Sequence, residues 1–139
     1  MRTKIWFRIG AILGLILAVS AAVPVFAHHS FSAQYDRNKP ITLSGPVTKV
    51  EWINPHARFF VAVKDPSGAV INWEIELGPP AILMRSGWTR NSLKVGAVVT
   101  VNASLAKDGS KIANASTVTL STGEKVFAGS SGGENSPTP

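Results

Sequence analysis

Between residues 41 and 120, apolar and polar positions alternate with a period of two, and turn residues interrupt the alternation at short intervals. Residues 70–77 are the clearest case. Ile71, Trp73, Ile75 and Leu77 share one face of a strand, while Asn72, Glu74 and Glu76 share the other. Residues 58–64 are rich in aromatic and β-branched side chains. Asp65-Pro66-Ser67-Gly68 then places Pro and Gly where a β-turn favours them, so 58–77 predicts a hairpin. Residues 41–52 form a longer strand whose apolar phase is odd at Ile41, Leu43 and Val47, then even at Val50 and Trp52. A slip after Gly45-Pro46 predicts a bulge or sharp bend, because one inserted residue exchanges the two faces. Residues 97–105 and 112–120 predict a second hairpin around Lys107-Asp108-Gly109-Ser110. Between the hairpins, Pro79 and Pro80 precede a short apolar run and Gly87 follows it, the asymmetry of one short helix.

The order is three strands, a short helix, then two strands. A bent first strand, with a helix between the third and fourth, predicts an all-β fold: a small five-stranded antiparallel OB-like barrel over residues 41–128. Another small antiparallel barrel or a sandwich is the alternative. Residues 28–40 read as an N-terminal arm, and 129–139, rich in Ser, Gly and Pro, as a disordered tail. No internal repeat is visible.

The first 27 residues change the picture. Arg2, Lys4 and Arg8 precede a short apolar core at 9–19, and Val25 and Ala27 fit the small-residue positions of a cleavage site. The apolar stretch 9–26 is interrupted by Gly10, Gly14, Ser20 and Pro24, which favours a cleaved signal peptide over an anchor. The expected location is therefore periplasmic or secreted, with membrane contact only during export. The signal holds three of the 14 basic residues and none of the eight acids, so the mature net charge falls from +6 to +3. That weakens any case for nucleic acid as a partner. With no cysteine, neither a disulfide nor a lipidated cysteine is available, and stability rests on one hydrophobic core.

Four blocks, AHHSFSAQYD, VEWINPHARFFV, MRSGWTRNSLKVG and KDGSKIANA, resemble an uncharacterised family of small exported bacterial proteins, a domain of unknown function. The resemblance runs from about Ala27 to Ser130. It implies export and a small β fold, and it carries no catalytic or binding residues with it.

The candidate chemistry lies in the three histidines. Cleavage after Ala27 would make His28 the first residue, and its α-amine and Nδ1 would together chelate one ion. A second imidazole would complete a three-nitrogen set suited to Cu(II). That imidazole is assigned to His56, in the turn Asn54-Pro55-His56; a barrel-end loop is a common place for ligands. Because the amine must lose its proton, affinity would fall in acid. His29 is the poorer partner, since neighbouring side chains in extended backbone point apart. Cleavage after Phe26 would instead make His29 the third residue, able to bind Cu(II) through amine, amides and imidazole. The plain alternative is a solvated polar start, with His56 capping a turn.

Other constellations are weaker. Glu74 and Glu76 share a strand face, but no neighbouring histidine or serine in the sequence completes a catalytic set, so they read as its solvated side. Asp36, with Tyr35 and Arg37, reads as an ion-paired anchor for the arm. Of the aromatics Trp52, Phe59, Phe60, Trp73 and Trp88, the alternation buries Trp73. Trp88 lies outside any strand pattern and is expected to be exposed among Arg85, Arg90 and Lys94, a basic patch for an anionic polymer or a protein of the cell envelope. No phosphate loop and no nucleophile–base set is present. The sequence reads as a non-enzymatic binding module, with a copper-dependent oxidase as a remote option.

Overall fold

The first strand takes up 17 residues because it serves two partners in turn. In the computed structural model, which describes residues 31–128, β1 (Tyr35–Glu51) pairs through its first half with β4 (Val98–Ala106) and through its second half with β2 (Arg58–Lys64). The expected phase slip is present: the β1–β2 register shifts between Val47 and Lys49. Gly45 sits at the bend, where an added Cβ would lie 2.1 Å from the Ala62 carbonyl oxygen. Only a residue without a side chain permits that approach.

The remaining strands are β3 (Val70–Glu76), β5 (Ile112–Leu120) and β6 (Lys125–Phe127). The sheet order is β3-β2-β1-β4-β5-β6, antiparallel throughout. A parallel pairing of β3 with β5 closes the first five strands into a ring. The all-β class, the bent first strand and the short helix between the third and fourth strands are as expected. Two features differ. β1 starts at Tyr35 rather than near residue 41, so the end of the arm is already in the sheet. A sixth strand is added whose three residues are too few to show a period.

Inside the ring, Leu43, Val47, Phe59, Val61, Trp73, Ile75, Val99, Val101 and Val118 are buried together. The hairpin turns use the predicted residues. Asp65 Oδ1 accepts from the Ser67 hydroxyl (2.6 Å) and from the Ser67 and Ala69 amides. Asp108 accepts likewise from Ser110. In both turns the serine hydroxyl stabilises the charged form and lowers the carboxyl pKa.

Helix α1 (Pro80–Arg85) ends in a way that overturns the expected exposure of Trp88. After Ser86, Gly87 adopts φ +90°. The Gly87 amide then donates to the Met84 carbonyl, and the Trp88 amide to the Leu83 carbonyl at 3.0 Å. This is the Schellman closure, in which the residue after the glycine packs back on the helix. Trp88 is accordingly 2% exposed and joins Leu83 in the core.

Candidate functional site

The end of the β2–β3 hairpin opposite its tight turn gathers the polar side chains that the sequence left apart. Beyond the strand ends, Leu77 donates to the Ala57 carbonyl at 2.8 Å and Ala57 donates to that of Gly78. This clamp holds the 52–57 turn, which contains a cis Asn54–Pro55 bond, against the end of β3. It places His56 Nδ1 3.3 Å from Glu76 Oε1. The parallel register sets Glu76 opposite Asn114, whose Nδ2 donates to the same oxygen at 3.1 Å. Asn114 is 6% exposed. Its position on β5 makes sense through this bond, since a buried amide needs a partner.

Tyr35, 2% exposed at the start of β1, approaches Glu76 from the arm. Burial, then the charge and acceptor oxygens of Glu76, push the phenol pKa well above its ordinary value. The modest expectation for Asp36 is met only locally: it lies 3.9 Å from Lys39 and accepts from the Asn38 amide. The anchor of the arm is Tyr35, supported by the Lys107 amide donating to the Gln34 carbonyl.

A second line of charge runs beside this group. Arg58 donates to Glu74 Oε1 at 2.7 Å, and its buried Nε lies 3.8 Å from Glu51 Oε2, an ion-pair contact. Lys49 meets Glu51 at 2.5 Å and holds that carboxyl below the usual carboxylate range. The reading of Glu74 and Glu76 as a merely solvated strand face is thus corrected. Both are less than a third exposed, and Glu76 meets a histidine, an asparagine and a tyrosine from three other segments. With a neutral imidazole, Glu51, Glu74 and Glu76 outnumber Lys49 and Arg58 by one negative charge.

Of the expected ligands, His56 is half-buried at this corner. His28 and His29 lie outside the described residues. Among the described residues, no three His, Cys, Asp or Glu side chains group as a metal site. In the expected basic patch, Arg85, Arg90 and Lys94 are exposed and Trp88 is not. The crevice between Trp52, Arg58, Trp88 and Arg90 is too tight for a water molecule, so it is no stacking slot.

Residues 16–115 match a family of unknown function, DUF6152. No curated protein and no solved structure matches.

Proposed function

The chain belongs to the family of unknown function DUF6152, and for it we propose an exported, non-enzymatic binding module that takes Cu(II) through its processed N-terminal histidines and His56. The observation that carries the reading is the placement of Glu76 beside His56 Nδ1. A carboxylate there favours the proton on Nδ1 and leaves the Nε2 lone pair for a metal, the arrangement common behind metal-binding imidazoles. The imidazole is one-third exposed, and the surplus negative charge around it favours a cation. Tyr35, buried as the first residue of β1, ties the arm to the sheet near the same carboxylate.

Intact-mass and metal analysis of protein from its native compartment tests this directly. A terminus at His28 carrying one copper per chain is expected. The reading fails if the authentic terminus binds Cu(II) no more tightly than a version retaining a preceding methionine.

A second reading rests on Arg85, Arg90 and Lys94, which are exposed and form no ion pair among the described residues. They would bind an anionic polymer or protein of the envelope without help from Trp88. Salt-dependent binding to an anionic polysaccharide, lost on replacing the three cations, separates this from the copper reading.

A further inference from the structure

We infer that Glu76 is the positioning residue of the His56 ligand, with Asn114 bonded to Glu76 in turn and the Tyr35 phenol buried beside it. This rests on the copper reading for its biological use but has its own structural basis. His56 sits on a turn, and a turn imidazole free to rotate would present either nitrogen to solvent. Glu76 biases that choice, because its Oε1 lies 3.3 Å from Nδ1.

The carboxylate is itself constrained from two further directions. Asn114, 6% exposed and carried by the parallel neighbour strand, donates to Oε1 at 3.1 Å. Tyr35 presents its buried phenol from the first residue of β1. Three segments distant in sequence therefore converge on one carboxylate, and the one side chain in this group with a nitrogen left open is His56. Among the described residues, its Nε2 has no hydrogen-bond partner. A carboxylate held this firmly does not swing away when the imidazole is called on to bind an ion, so the tautomer is set before the metal arrives. Glu74, by contrast, is committed to Arg58 at 2.7 Å and plays no part in orienting the histidine.

The tautomer can be read without metal. Nitrogen-15 NMR of the imidazole in the full chain is expected to show His56 protonated at Nδ1. Glu76→Ala should move it to the Nε2-protonated form that free imidazole side chains prefer, and Glu76→Gln, which keeps the shape and the neutral contacts, should move it partway. Cu(II) affinity of the processed chain, measured by competition titration, should fall about 10–100-fold in Glu76→Ala, as for loss of other groups behind a metal ligand. A His56 already protonated at Nε2, or one unchanged in Glu76→Ala, overturns the positioning role. If His56→Ala weakens copper binding and Glu76→Ala does not, the role of Glu76 falls and the copper reading stands. If His56→Ala binds Cu(II) as tightly as wild type, the metal role is lost for both residues.

Discussion

At the His56 corner, Glu51 meets Lys49 along β1 at 2.5 Å, Glu74 meets Arg58 across β2 and β3 at 2.7 Å, and Glu76 meets His56 of the turn at 3.3 Å. Along residues 85–94, Arg85, Arg90 and Lys94 stand exposed with no ion pair among the described residues. Both regions carry several charges, and only one is a constellation. The difference is register. A side chain on a closed ring of strands has neighbours fixed on both sides, so polar residues placed there must find partners or remain costly. A loop after a helix imposes no such neighbours on its charges. What the 85–94 segment does fix is its aromatic, because the glycine closure turns Trp88 inward.

That contrast is broken most sharply at Trp88. Trp88→Ala removes one of the largest fully buried side chains and should cost about 3–5 kcal/mol, read as a lowered urea midpoint with unchanged slope. A loss under about 1 kcal/mol, the range of ordinary surface changes, would show that the segment is not anchored by its tryptophan. Gly87→Ala tests the closure itself. Space is available for the Cβ, but φ is +90°, so the expected loss is about 1–2 kcal/mol from the left-handed backbone alone. The same unfolding curves measure it, and a neutral result would mean the turn relaxes to another conformation.

At the His56 corner the matching test is Tyr35→Phe, which keeps the ring and deletes the phenol. Near neutral pH the loss should be about 1 kcal/mol. The alkaline limb carries the more specific prediction. The folded phenol ionises above the unfolded value of 10.0, so its contribution is complete below pH 10. As pH rises further, the unfolded chain gives up its proton first and stability falls. Tyr35 is the only tyrosine of the chain, so phenolate absorbance reads this one group without overlap. Wild type should lose stability above pH 10 faster than Tyr35→Phe; parallel curves for the two would place the phenol in ordinary solvent.

The sequence made the ring legible and the corner illegible for the same reason. Alternation in residues 70–77 is local, and it correctly separates Trp73 and Ile75 from Glu74 and Glu76. The partners of Glu76 are set by pairings 20, 38 and 41 residues away, at His56, Asn114 and Tyr35. Asn114 alternates with Ala113 and Ala115 as an ordinary outward polar residue would, and only the parallel pairing with β3 shows why it is buried. Trp88 was a different miss, since its signal was present. A glycine just past a helix end, followed by a large apolar residue, is the pattern of the closure that buries it, and Gly87-Trp88 has that form. His56 was legible as a turn residue; its carboxylate was not.

The smallest expected effect completes the contrast. Replacing Arg85, Arg90 and Lys94 by alanine should change stability by no more than about 0.5 kcal/mol at each site, because no partner among the described residues is left behind. Removing Arg58 instead strips Glu74 of a 2.7 Å charge-assisted bond and leaves the corner with three carboxylates and one lysine. Thermal unfolding of the triple variant beside Arg58→Ala therefore measures the value of register directly: one cation lost from the ring should cost more than three lost from the 85–94 segment. If the triple variant were the less stable of the two, the 85–94 segment would itself be part of a built surface.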